Sequence, residues 1–261
     1  MIESNEIDLN FDYAAQAEYF GLGKVSTQSA PMVRMARSNS ISIARQDGND
    51  PAAVLGSTIA AYDEALSEED REAFDDTILY AEIRADKLFD RETQRREWYR
   101  EYSKALTNCG WPTMNDPYKE YISRELDFTM DEAALQIIAL VAGADKLKVL
   151  PLISSALNAL EKNEGAIKLI EIKSKKNKAA NFQMVPCISL GGRPTMMACA
   201  MQMEVRELIT KILFFKYRGE EVKVYNAATR RTLNRRAYNA VKDIVQAEVD
   251  RSRLEYFKTP L

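Results

Sequence analysis

The stretch TMMACAMQMEV, residues 195–205, is the part of the sequence from which the fold can be worked out, because its apolar residues alternate. Every second residue is apolar, in the series Met197, Cys199, Met201, Met203 and Val205. Successive side chains of a β-strand point to opposite faces, so the pattern predicts a strand with a lone cysteine on a sulfur-rich face. Such a face is either ordinary core, where cysteine and methionine are common, or a slot for something long and flexible.

Alternating patterns continue on both sides of this stretch, from about residue 165 onward. They predict further strands at AIKLIEIK (166–173), FQMVPCISL (182–190), TKILFFKY (210–217) and EVKVYNAATRRTL (221–233). Turn signals such as GGRP (191–194) separate them, and short connections favour antiparallel pairing. Asn234 is placed to cap a final amphipathic helix.

Upstream of residue 165 the spacing of apolar residues is typical of helices. A helix is predicted from Pro51 (51–66), followed by a long helix that Ser67 caps and Gly110 ends, with a bend near Asp90. Three shorter helices are predicted at DPYKEYISREL (116–126), TMDEAALQIIALVAG (129–143) and DKLKVLPLISSALNALEKNEG (145–165), the last interrupted by Pro151.

These elements predict an α+β fold, with an N-terminal helical half followed by a mostly antiparallel sheet and a closing C-terminal helix. Residues 1–50 are polar and are expected to form a poorly ordered or peripheral arm. Residues 51–261 are expected to form a single α+β domain, with helices over 51–164 and the sheet and final helix over 165–261.

Composition argues against several classes of function. The 261 residues contain no histidine, which removes catalytic triads and His-ligated zinc, so no metal is expected and an enzyme is disfavoured without being excluded. The net charge of -3 argues against a nucleic-acid partner. The three cysteines are widely spaced and odd in number, as is usual in a reducing compartment.

The ends and the charged groups bear on location. The first residues lack a basic segment followed by an apolar one, and no apolar run is long enough to span a bilayer. We therefore expect synthesis in the cytoplasm without a signal peptide. Two basic groups, Lys173–Lys178 and Arg230–Arg236, are able to meet anionic head groups, and they are equally well explained as a charged loop and a helix entry.

With its helix-then-sheet order and its cysteine in the C-terminal half, the chain resembles the Erwinia virulence factor family, which promotes bacterial persistence in the insect gut. The resemblance implies a fatty acid, such as palmitate, held as a thioester on a buried cysteine, and association with membranes. Cys199 best matches that cysteine, and Cys187 is the second candidate. Met197, Met201, Met203 and Val205 would line the lipid slot.

The resulting hypothesis is a bacterial virulence or persistence factor, S-acylated on Cys199, whose partner is a membrane surface or lipid. It would be membrane-associated or exported by a route other than Sec, and its protein partner is unknown. Two alternatives stay open. One is a membrane-active effector toxin that forms pores or is injected, and the other is a soluble interaction module without a lipid.

Overall fold

Seven α-helices and ten strands make up the residues that the computed structural model describes, which are 11–22, 41–42, 52–113, 119–121, 127–176, 179–205, 213–218 and 222–258. The helices are α1 (Tyr13–Phe20), α2 (Glu68–Leu88), α3 (Arg95–Asn108), α4 (Met130–Ala142), α5 (Lys146–Glu161), α6 (Glu164–Ser174) and α7 (Arg235–Lys258). The strands are β1 (Ile41–Ser42), β2 (Ala52–Leu55), β3 (Thr58–Tyr62), β4 (Lys119–Tyr121), β5 (Asp127–Phe128), β6 (Lys175–Lys176), β7 (Ala179–Leu190), β8 (Arg193–Val205), β9 (Tyr217–Arg218) and β10 (Val222–Thr232).

A mixed, mostly antiparallel sheet lies at the centre of the described structure. Its strands follow the order β1-β2-β3-β7-β8-β10-β4, with β6 paired to the start of β7. β3 and β7 are parallel, whereas the other neighbouring strands are antiparallel. β5 and β9 form a separate two-stranded pair. The long β7, β8 and β10 therefore stand side by side and set the register of the residues singled out in the sequence.

Helices cover both faces of the sheet and create two hydrophobic cores. On one face α4, α5 and α6 pack over the sheet, and on the other face α2, α3 and α7 do so. The predicted α+β class, the mostly antiparallel sheet and the closing helix α7 are confirmed. Burial on both faces explains why the central strands carry apolar residues in both registers.

The helix ends follow local signals closely. The Ser67 side chain accepts a hydrogen bond from the backbone N–H of Asp70, and Thr129 and Glu132 form a complete capping box at the start of α4. The predicted bend near Asp90 is a break between α2 and α3. At the end of α3, Gly110 has φ +93° and the backbone N–H of Trp111 reaches the Leu106 carbonyl, which is a Schellman motif.

The helix predicted from Pro51 is wrong, because Ala52–Leu55 and Thr58–Tyr62 are strands joined by a tight turn at Gly56 and Ser57. Both strands are buried on both faces, so neither shows alternation. A short, continuous apolar run of this kind cannot be told from a buried helix by periodicity alone. The sheet therefore recruits three strands from the region assigned entirely to helices.

Other predicted elements differ as well. The segment predicted as the strand AIKLIEIK lies in α6, whose buried residues Ala166, Ile167 and Ile170 recur at helical spacing. In the helix predicted over 116–126, Lys119–Tyr121 is a strand that pairs with β10, and the rest lies outside the described residues. Of the strand predicted over 210–217, residues 210–212 lie outside the described residues, and Tyr217 alone of the others is in a strand. α5 continues through Pro151.

An ion pair anchors α5 to the end of the sheet. The Lys148 ammonium contacts the Asp63 carboxylate, which also accepts hydrogen bonds from the backbone N–H groups of Ser189 at 2.9 Å and Ala65 at 3.2 Å. Burial alone would raise the pKa of Asp63, but the bonds from Lys148, Ser189 and Ala65 outweigh it and lower that pKa below its usual value.

We expect Asp63 to make the protein less stable in acid. Its pKa is lower in the folded than in the unfolded chain, so its contribution is present above the unfolded value of about 3.9 and is lost as pH falls toward the folded value. Urea unfolding at several pH values should show a smaller fall in the free energy of unfolding below about pH 4 for Asp63→Asn than for the wild type. Asp243→Asn, an exposed site on α7, should keep the wild-type slope.

Candidate functional site

The sulfur-rich face predicted from the sequence exists in the structure. Met197, Cys199, Met201 and Met203 lie on one face of β8, and all four are fully buried in the core beneath α4, α5 and α6. Val205 is the last residue of β8 and pairs in register with Val222. The cysteine is thus one member of an unbroken apolar row.

Cys199 lies at the centre of β8, which is the middle one of the three long strands. In register it stands opposite Met184 of β7 on one side and Ala228 of β10 on the other. The helices above it contribute small and branched side chains to the same core, namely Ala134, Ile138, Ala142, Val149, Ile153 and Leu157. The thiol therefore sits between a sheet rich in methionine and a helical layer that contains several alanines.

The two candidate cysteines lie on opposite faces of the sheet. Cys187 belongs to the other core, beneath α2, α3 and α7, where Cys109 is also buried. All three cysteines are free thiols. Cys199 and Cys187 consequently have different surroundings, and of these two Cys199 alone shares a face with the row of methionines.

Burial makes the thiols of Cys199 and Cys187 unreactive in the folded structure. Burial raises the pKa of Cys199 to about 12. It also raises the pKa of Cys187, with the nearby carboxylates Asp70, Asp75 and Asp63 adding to the effect. The thiolate is the nucleophilic form of cysteine, so neither side chain is an activated nucleophile in this conformation.

A buried amide beside Cys199 was missed in the sequence. Asn226 lies on the same face of β10 as Val224 and Ala228, and its exposed fraction is 1%. In the described part of the chain, neither its Oδ1 nor its Nδ2 atom has a hydrogen-bond partner. The alternation Val224, Asn226, Ala228 was the signal that could have revealed an amide on the apolar face.

Strand register brings this amide close to the thiol. Asn226 pairs with Met201, and Ala228 pairs with Cys199, so Asn226 and Cys199 are diagonal neighbours on one face of the sheet. Diagonal residues have their Cα atoms about 7–8 Å apart, a distance that long side chains can bridge.

A second polar cluster lies on the opposite face and is already satisfied internally. The Glu82 carboxylate accepts hydrogen bonds from the Ser57 backbone N–H at 3.1 Å, the Ser57 hydroxyl at 2.8 Å and the Thr58 hydroxyl at 2.9 Å. Arg91 completes the cluster, with its guanidinium 3.4 Å from Glu82 and 2.6 Å from the Ser57 hydroxyl. This arrangement fixes the β2–β3 turn against α2 and the segment that joins α2 to α3.

Three arginines of the second predicted basic group contact other residues of the protein. Arg231 is buried and donates hydrogen bonds to the Trp111 carbonyl at 2.8 Å and the Ser103 hydroxyl at 2.6 Å. Arg230 instead contacts Asp145 at 2.8 Å, and Arg235 contacts Asp70. Lys175–Lys178 lie where the structure describes no side chains, so their part of the prediction stays open.

Among the described residues, no helix is both long enough and apolar enough to cross a bilayer. No three acidic or cysteine side chains in these same ranges converge in a way that could hold a metal ion. The candidate site consists of Cys199, its methionine neighbours and Asn226.

Comparisons with known proteins give distant structural likenesses. No family model matches the chain, and no curated protein matches it in sequence. The solved structure of the Evf virulence factor is 11% identical, with a TM-score of 0.41 over 90% of this chain and 87% of that one. A solved delta-endotoxin is 12% identical, with a TM-score of 0.40 over 79% of this chain and 91% of that one. At these scores neither likeness decides what this chain does.

Proposed function

We propose that the protein carries a fatty acyl group as a thioester on Cys199 and associates with membranes in that form. The observation that carries this proposal is the amide of Asn226 beside the thiol, which has no hydrogen-bond partner among the described residues. Leaving a buried donor or acceptor unsatisfied costs about 1–3 kcal/mol, and such groups in native proteins call for an explanation. The thioester carbonyl would accept a hydrogen bond from Nδ2 and so remove part of this cost.

The residues around Cys199 suit a fatty acyl chain such as palmitate. Met197, Met201 and Met203 have flexible, unbranched side chains that can change rotamer to make room for a chain. Burial of each methylene contributes about 0.8 kcal/mol, whether inside the protein or in a bilayer. The transfer free energy of the acyl methylenes would therefore be about the same in the core as in a bilayer, and the helices above β8 would have to move to make room for the chain.

The acyl group must come from an activated donor, and we propose that this donor is another acyl thioester. The Cys199 sulfur attacks the acyl carbonyl, a new S–C bond forms, the donor S–C bond breaks, and the thiol proton ends on the departing thiol. The high pKa and complete burial of Cys199 disfavour this transfer once the protein is folded. Transfer would accordingly take place before α4 and α5 pack over β8.

The biological setting is the finer part of the proposal. A role in bacterial virulence or persistence stays a prediction from the resemblance to the Erwinia virulence factor family. Export by a route other than Sec, after synthesis in the cytoplasm, is likewise still a prediction. Acylation itself can be tested without knowing either.

Intact-mass spectrometry of protein purified from the cells that naturally produce it tests the proposal directly. We expect an added mass close to that of a palmitoyl group. This mass should be lost after treatment with neutral hydroxylamine in denaturant, because the denaturant exposes the core and hydroxylamine cleaves a thioester. Cys199→Ala should lack the addition, whereas Cys187→Ala should retain it. An unmodified wild-type mass would overturn the proposal and leave the sulfur-rich face as ordinary core of a soluble interaction module.

Asn226→Leu separates the role of the amide from that of the thiol. In unacylated protein we expect this change to raise the free energy of unfolding by about 1–3 kcal/mol, because a buried amide without partners is replaced by an apolar side chain. In protein from the natural source it should lower the acylated fraction. Asn181→Leu, a buried amide on the opposite face, is the matched control and should leave that fraction unchanged.

A further inference from the structure

The corner between α4 and α5 presents two protruding leucines to solvent. Leu140 in the last turn of α4 is 77% exposed, and Leu147 in the first turn of α5 is 83% exposed. They are the most exposed large hydrophobic residues in the described structure and flank the short turn Gly143–Asp145. A single exposed leucine is common in soluble proteins, but two on either side of one helical corner form a local apolar tip.

The corner lies at the end of the sheet where β7 turns into β8. Asp145 contacts Arg230 of β10 at 2.8 Å, and the Lys148 ammonium donates a hydrogen bond to the Ser189 carbonyl of β7 at 3.1 Å. Arg230 pairs in register with Met197, two residues from Cys199. The tip therefore stands at the end of the sulfur-rich face that is nearer to Met197.

The charges around the tip favour an anionic surface. Lys146 and Lys148 flank Leu147 and are exposed. Asp145 forms an ion pair with Arg230, and Asp63 forms one with Lys148. Lys146 has no acidic partner in the described part of the chain. The corner is thus an apolar tip with one uncompensated positive charge at its base.

We infer that this corner is the surface through which the protein contacts an anionic phospholipid bilayer. Leu140 and Leu147 would enter the interface while Lys146 stays at the level of the head groups, as is usual for long basic side chains beside apolar ones. A protein interface of comparable strength normally offers a broader patch with aromatic anchors and few lysines. The inference deepens the proposed membrane association, but it does not depend on the acyl group.

Co-sedimentation with vesicles tests the inference on the unacylated Cys199→Ala protein. The probes are phosphatidylcholine vesicles with and without phosphatidylglycerol. We expect binding to the anionic vesicles, and a loss of about tenfold or more in partitioning for Leu140→Ser with Leu147→Ser, because each serine removes an apolar side chain from the interface. The matched control is Leu88→Ser with Ile244→Ser, which alters two exposed apolar side chains on α2 and α7 and should stay within about twofold of the parent.

Three results would overturn the inference. The first is equal partitioning of the corner variant and the control, and the second is no binding of the parent to anionic vesicles. The third is parent protein that does not bind vesicles but self-associates in size-exclusion chromatography and loses this self-association on corner substitution, which would make the corner a protein interface. Because every variant lacks Cys199, failure here leaves the mass measurement on Cys199 untouched, and an unmodified mass leaves the vesicle result standing.

Discussion

Gly110→Ala should lower the free energy of unfolding by about 2–5 kcal/mol, one of the two largest effects we expect in this protein. Gly110 has φ +93°, a conformation that costs an alanine about 1–2 kcal/mol. A Cβ atom there would also lie 2.9 Å from both the Asn234 carbonyl oxygen and the Tyr238 backbone nitrogen. Both contacts are with the backbone at the start of α7, so the helix itself would have to shift.

Urea unfolding followed by circular dichroism measures this effect, and Gly192→Ala is the matched control. Gly192 has φ +76° in the β7–β8 turn, and a Cβ atom at this position would meet nothing within 4 Å. It therefore reports the cost of the backbone conformation without a collision, which should be about 1–2 kcal/mol. Equal losses at Gly110 and Gly192 would show that the approach of α7 to the end of α3 is not tight.

Glu82→Ala should destabilise the protein by about 3–5 kcal/mol, since it removes one partner from a buried, charged cluster. The Ser57 backbone N–H, 3.1 Å from both carboxylate oxygens, would lose its acceptor at a fully buried position. Arg91 would keep Asp86 as a partner but would lose the carboxylate between the β2–β3 turn and α2. We expect a lower urea midpoint, which reports the loss of stability. The secondary structure at low urea should be preserved.

Glu69→Ala is the surface counterpart of this change. Glu69 is exposed and lies 3.8 Å from Lys242, an arrangement that contributes about 0–1 kcal/mol in typical proteins. If Glu82→Ala cost no more than Glu69→Ala, the cluster would be rearranging to satisfy its donors without the carboxylate. A cost several times larger would establish Glu82 as the residue that holds the β2–β3 hairpin in place.

Local chemistry accounts for the elements that were predicted correctly. The capping box of Thr129 and Glu132, the Ser67 cap and the Schellman end at Gly110 each depend on residues within one helical turn. The alternation in β8 likewise needs nothing beyond its own residues to separate one face from the other. Features of this kind can be predicted from sequence because the interactions that produce them are made within the same short segment.

Elements whose structure depends on distant partners were predicted wrongly. β2 and β3 lack alternation because helices bury them on both faces, and β3 joins the sheet by pairing in parallel with β7, more than a hundred residues away. The segment of α6 carries apolar residues that fit either period, and packing against the sheet selects the helix. No local signal distinguishes these alternatives.

The sequence by itself determined that Cys199 lies among methionines on one face of a strand, because side-chain alternation is a property of the strand alone. Only the tertiary structure decided that Cys187 faces the opposite helical layer and that Asn226, beside Cys199, has no hydrogen-bond partner within the described part of the chain. These relationships come from the register between separate strands and from which helices cover each face. Both are set by packing between segments far apart in the chain, so no single stretch of residues contains them.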